Sequence, residues 1–134
     1  MPDDASICVY IIDDDASVRN EMQMLLLSAG MKAIAFESAE AFLASDIRER
    51  DTCVITDFKM PGIGGLALQQ RLKEKGVRIP VIFLTAFDSK EDRRRAFRSG
   101  AVGFFRKPVD DQALLDSIRW ALSRLQYSTG EPSG

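Results

Sequence analysis

Histidine is absent from all 134 residues. That gap excludes Ser-His-Asp and Cys-His catalysis and the common zinc sites, all of which need an imidazole. It also excludes the chain itself as a phosphohistidine donor. Cysteine is scarce: Cys8 and Cys53 are the two present, each inside an apolar run. They read as buried thiols in a reducing cytoplasm rather than as a disulfide or a metal site. No apolar stretch approaches the roughly 20 residues needed to span a bilayer, and no charged-then-apolar leader precedes the first strand. A cytoplasmic location without membrane contact is therefore expected. Charge of one sign is not in excess either. With 18 basic and 20 acidic residues the formal net charge is −2, which gives no general attraction to nucleic acid. The ionic chemistry left is that of carboxylate, lysine and hydroxyl.

What is present is globular in composition, 46% apolar and 28% charged, and of a length that suits one domain with a real core. Five apolar runs of strand length alternate with five segments of helical period. The strands are expected at Ile7–Ile12, Met31–Phe36, Thr52–Thr56, Pro80–Thr85 and Ala101–Arg106. The helices are expected from Ala16 to a stop at Gly30, then at Ala39–Arg50, Leu66–Lys75, Ser89–Ser99 and Asp110–Gln126. Strict alternation implies an α/β fold, a doubly wound five-stranded parallel sheet with helices on both faces and every strand buried on both sides. Residues 1–127 form the domain. Residues 128–134, small and polar, are a flexible tail or the start of a linker.

In such a sheet, ligands sit beyond the carboxyl ends of the strands, and there the informative residues fall. Asp13 and Asp14 end the first strand, Asp57 the third, Thr85 the fourth and Lys107 the fifth. Three carboxylates in one cleft repel: two unit charges ~4 Å apart cost about 4 kcal/mol at an effective dielectric near 20. One lysine cannot offset that. A hard, oxygen-preferring cation is implied, most simply Mg²⁺. Cation, lysine and hydroxyl around one aspartate are the apparatus for moving a phosphoryl group onto that carboxylate.

Four segments carry a family resemblance: Ile11-Ile12-Asp13-Asp14, Val54-Ile55-Thr56-Asp57-Phe58-Lys59-Met60-Pro61-Gly62, Phe83-Leu84-Thr85-Ala86 and Phe104-Phe105-Arg106-Lys107-Pro108. Together, in order and at these spacings, they resemble the receiver domains of two-component response regulators, the CheY-like family, over about residues 7–126. The resemblance implies the flavodoxin/CheY-like (βα)5 fold with strand order 2-1-3-4-5. It implies Asp57 as phosphoacceptor, with Thr85 and Lys107 assisting. Asp13, Asp14, Asp57 and the Lys59 carbonyl would be the metal ligands. Thr85 and Phe104 would be the switch residues, and Lys107-Pro108 a cis peptide. The phosphoryl source would be a sensor histidine kinase or a phosphotransfer protein, and the output most often transcriptional. Gly64 stands where the family often carries a capping aspartate, and Val109 replaces a frequent phenylalanine. Flanking the attacking water, by the same resemblance, would be Lys59 and Phe87. The aromatic ring is expected to screen the phosphoryl group, and Lys59 to reach toward Asp15 or the phosphoryl oxygens.

Competing readings stand beside this one. Asp13-x-Asp15 also fits the nucleophile motif of a haloacid dehalogenase-type phosphatase, which uses the same residue types with Mg²⁺. Against it, no later strand ends in an acidic pair and no cap segment exists. A flavin- or nucleotide-binding module would need glycine, serine or threonine after the first strand, where this chain has three aspartates. The fourth helix carries Arg93, Arg94 and Arg95, leaving Ala96 and Phe97 to anchor it. Its arginines read as a solvated face, or as a partner or homodimer surface formed with the fifth strand, without direct nucleic acid contact. Met24, Leu27, Trp120 and Tyr127 are expected to face outward.

Overall fold

In the computed structural model the described backbone runs over residues 3–130 and the described side chains over residues 3–123. A 3-10 turn, Asp4–Ser6, precedes β1 (Cys8–Ile12), α1 (Ala16–Ser28), β2 (Lys32–Phe36), α2 (Ala39–Leu43) and β3 (Thr52–Asp57). Then follow α3 (Gly65–Glu74), β4 (Val81–Thr85), α4 (Lys90–Arg98), β5 (Gly103–Arg106) and α5 (Asp111–Gly130). All pairings are parallel and the sheet order is β2-β1-β3-β4-β5, as the alternation and the resemblance imply.

Side-chain alternation splits the sheet's apolar residues between two layers. Ile7, Val9, Ile11, Cys53, Ile55, Ile82 and Leu84 pack with Leu26 of α1 and with Leu114, Ile118 and Leu122 of α5. On the other face Cys8, Tyr10, Ile12, Val54 and Phe83 pack with Phe42 of α2, Leu68 and Leu72 of α3, and Ala96 of α4. The central strands β1 and β4 are buried at every residue, which is why they read as unbroken apolar runs. The edge strand β2 departs from that rule, with Lys32 and Ile34 exposed, because a single neighbouring strand and α1 cannot cover it.

Helix starts follow local chemistry. Asp15 caps α1 by accepting from the Ser17 N–H at 2.9 Å, and Ser38 and Ser89 cap α2 and α4 in the same way. Gly64, at the head of α3, supplies no side-chain cap. Gly30 ends the α1 connection at φ +85°, a conformation that favours glycine.

Two expectations are corrected. The second helix ends at Leu43, not Arg50. Beyond it the backbone is claimed by tertiary hydrogen bonds: Tyr10 Oη accepts from the Arg48 N–H at 2.9 Å, and the Arg48 guanidinium donates to the Ser6 and Arg50 carbonyls at 2.7 and 2.8 Å. The last helix extends to Gly130, so residues 128–130 of the expected tail are helical. Residues 131–134 and the Tyr127 side chain lie outside what is described.

Both cysteines are buried on strands. Burial pushes the Cys53 thiol up to about 12 and raises that of Cys8. Since the thiolate is the reactive form, neither should be alkylated by iodoacetamide at pH 8 in the native protein, and both should be after denaturation. Mass spectrometry checks this, and native labelling of either would contradict the packing.

Candidate functional site

The carboxyl ends of β1, β3, β4 and β5 converge on one cleft. Asp13 is 1% exposed, and both of its oxygens are engaged. Oδ1 accepts from the Asp15 N–H at 2.9 Å and Oδ2 from Lys107 Nζ at 2.8 Å. Arg19 of α1 donates to the Asp13 carbonyl at 2.7 Å, fixing the strand end beneath the helix. Lys107 Nζ lies 3.4 Å from Asp57 Oδ2, so one ammonium bridges β1 and β3. The Asp57 carboxylate also accepts from the Lys59 backbone N–H.

Electrostatics follow from this crowding. Burial raises the Asp57 pKa, and the Asp13 charge adds to that, while Lys107 and the Lys59 N–H oppose it. For Lys107, burial alone would lower the pKa, but the hydrogen bond and charge of Asp13, joined by Asp57, more than reverse it and the value is raised. Carboxylate oxygens of Asp13, Asp14 and Asp57 all lie within 4.8 Å of one another. A set of hard anionic oxygens with one balancing lysine fits a divalent cation of the Mg²⁺ or Ca²⁺ type, with Asp14, the exposed member, open to solvent.

The remaining expected residues are placed less simply. Thr85 is buried at the end of β4, but its hydroxyl donates to the Phe87 carbonyl at 2.8 Å and accepts from the Phe87 N–H at 3.2 Å. Phe104 is 3% exposed. Its ring meets Phe58 edge-on at 5.3 Å, and the Arg93 guanidinium lies 5.1 Å from the ring centroid. Lys107-Pro108 is cis.

Three details differ from expectation. The Lys59 ammonium pairs with Asp92 of α4 at 3.4 Å rather than reaching toward Asp15, whose carboxylate is engaged in capping α1. Phe87 is 76% exposed, so most of its ring faces solvent rather than lying buried over the cleft. In α4 the buried pair is Asp92 and Ala96, while Phe97 is 45% exposed and does not anchor the helix. Asp92 was not singled out from the sequence because an acid three residues after Ser89 looks like an ordinary first-turn residue. Nothing local marks it as buried or as a partner of Lys59.

Comparison with known proteins agrees with this geometry. Residues 9–119 match the response regulator receiver domain family. The chain is 41% identical over 115 residues to the transcriptional regulatory protein TdiR of Thauera aromatica, covering 86% of this chain and 51% of TdiR. It is 40% identical over 122 residues to the response regulator protein TodT of Pseudomonas putida, covering 91% of this chain and 53% of TodT. The chain thus spans about half the length of these relatives. Among solved structures it superposes on response regulator StyR with a TM-score of 0.81 at 36% identity, covering 94% of this chain and 66% of StyR. For FixJ-N the TM-score is 0.80 at 32% identity, with 92% and 96% covered. Sheet order, the acid–lysine cleft and these similarities lead to one conclusion: the chain belongs to the response regulator receiver domain family of two-component signalling proteins.

Proposed function

We propose that Asp57 is the phosphoacceptor, taking a phosphoryl group from a sensor histidine kinase or phosphotransfer protein in the cytoplasm. The observation that carries this is the single lysine bridging Asp13 and Asp57 beside a cluster of three carboxylates. An Asp57 carboxylate oxygen attacks phosphorus, the P–N bond to the donor histidine breaks, and its electron pair returns to the imidazole. Lys107, already at 3.4 Å, neutralises a phosphoryl oxygen as charge develops there. Asp13, Asp14, Asp57 and the Lys59 carbonyl would hold Mg²⁺, which supplies charge neutralisation and alignment for the phosphoryl oxygens. Thr85 can donate to the phosphoryl group only by releasing the Phe87 carbonyl it now holds. That release is the step by which phosphorylation reaches the β4–α4 loop and, through Phe104, the α4–β5–α5 face.

TdiR, one of the relatives named above, is a transcriptional regulatory protein, and the output controlled here is proposed to be transcriptional, through segments beyond the receiver. Helix α4, with exposed Arg94, Arg95, Phe97 and Arg98, is the surface for a partner or a homodimer formed on phosphorylation, without direct nucleic acid contact. Among the described residues no helix is long and apolar enough to cross a membrane. No observation favours a phosphatase of the haloacid dehalogenase type, since its second acid, Asp15, is engaged as a helix cap. Incubation with acetyl phosphate should label the protein in Mg²⁺ and leave it unlabelled in excess chelator. Equal labelling under both conditions would contradict the metal-assisted reading.

A further inference from the structure

Helix α4 is poorly held by apolar contact. Of its nine residues the buried ones are Ala96 and a carboxylate, Asp92. Polar ties do the rest. At its carboxyl end Lys73 of α3 donates to the Ser99 carbonyl, and the Ser99 hydroxyl donates to Gln69 Oε1 at 2.6 Å. At its amino end Asp92 takes Lys59 Nζ at 3.4 Å and Arg95 Nη1 at 3.6 Å. Lys59 is thus tied twice. Its backbone N–H holds the Asp57 carboxylate, and its side chain holds α4.

An ammonium so placed has two anionic destinations. The Asp92 side chain is 12% exposed, and that of Lys59 is 67% exposed, so the lysine can swing through solvent at little desolvation cost while the aspartate stays fixed. Phosphorylation replaces the single charge of the Asp57 carboxylate by a group carrying roughly two. The balance of attraction on Lys59 then shifts from the helix toward the strand end. We propose that Asp92 is a positioning residue for the phosphoryl chemistry. It draws Lys59 off Asp57 in the resting protein, and the phosphoryl group competes with it for the same ammonium. One ion pair therefore links the lifetime of phosphorylated Asp57 to the anchorage of the amino end of α4. With Lys59 on the phosphoryl oxygens the approach of water is obstructed; with Lys59 on Asp92 it is open. This rests on Asp57 being the phosphoacceptor.

The test uses the 134-residue chain phosphorylated with acetyl phosphate and Mg²⁺, followed by intact mass after donor removal. Asp92→Asn should lengthen the half-life of phosphorylated Asp57 several-fold, and Lys59→Met should shorten it. In half-life the double variant should behave as Lys59→Met, since Asp92 acts on the lifetime only through Lys59. Asp92→Glu should restore the wild-type half-life. Amide exchange in α4 of unphosphorylated Asp92→Asn and of Lys59→Met should rise toward that of phosphorylated wild type. A lifetime unaffected by Asp92→Asn, or affected equally with Lys59 already replaced, overturns the proposal, as does an Asp92→Glu variant that behaves like Asp92→Asn. Should Asp92→Asn fail to fold, unchanged α4 exchange in Lys59→Met, which keeps Asp92, overturns it. Absence of phosphoryl on wild-type Asp57 would instead remove the reading on which it rests.

Discussion

Lys107→Ala should cost about 3 kcal/mol of folding stability in metal-free buffer, with much of that recovered in Mg²⁺. Lys107 is the one cation within salt-bridge distance of both Asp13 and Asp57 among the described residues, and the Asp13 side chain beneath it is 2% exposed. Removing one partner of a buried ion pair typically costs about 3–5 kcal/mol, because the remaining charge is left uncompensated. The lower end applies here because Asp14 is open to water and Lys107 is itself 21% exposed. A divalent cation stabilises the variant by binding the folded state alone. Asp57→Asn has the opposite sign, relieving repulsion and raising metal-free stability. Denaturant titration with and without Mg²⁺ measures both. A Lys107→Ala variant as stable as wild type without metal would contradict the balance of charges described.

Gly65→Ala should destabilise by about 1–3 kcal/mol, the usual range for overpacking a filled interior, and should slow phosphorylation. A Cβ at Gly65 would lie 2.7 Å from Phe83 Cε1 and 2.9 Å from the Asp57 carbonyl oxygen. Neither neighbour can yield freely. Phe83 is fully buried and stacked edge-on with Phe58, and the carbonyl belongs to the backbone of Asp57, the proposed acceptor. The same methyl that strains the core therefore displaces Asp57. Gly64→Ala is the control, since its Cβ meets only the Phe58 carbonyl oxygen at 3.4 Å. Equal stability and equal phosphorylation rates in the two variants would show that α3 is not packed this closely against β3.

Most of the frame was legible because the period of apolar residues is set by burial, and burial on both faces of central strands leaves unbroken runs. The strand-end residues Asp13, Asp57, Thr85 and Lys107 could be read as one cluster because parallel topology gathers such ends whatever their separation in sequence. Other features were set by contacts that sequence does not display. Ala44–Arg50 has the composition of a continuing helix, yet Tyr10 and Arg48 draw it into a loop through bonds to β1 and the first turn. From sequence the Lys59 side chain is expected toward Asp15 or the phosphoryl oxygens, and its pairing with Asp92 depends on where α4 sits. Thr85 was identified by type and position, but the orientation of its hydroxyl toward Phe87 depends on the loop conformation.

The central claim is that the cleft delivers a phosphoryl group to one carboxylate. The direct measurement is mass spectrometry of the chain after acetyl phosphate treatment in Mg²⁺, with peptide mapping, beside Asp57→Asn and Asp13→Asn. Wild type should gain one phosphoryl mass on the peptide bearing Asp57. Asp57→Asn should gain none, and Asp13→Asn should still carry its label on Asp57, at a reduced rate. Full labelling of Asp57→Asn, or a label mapped to Asp13, would contradict the account.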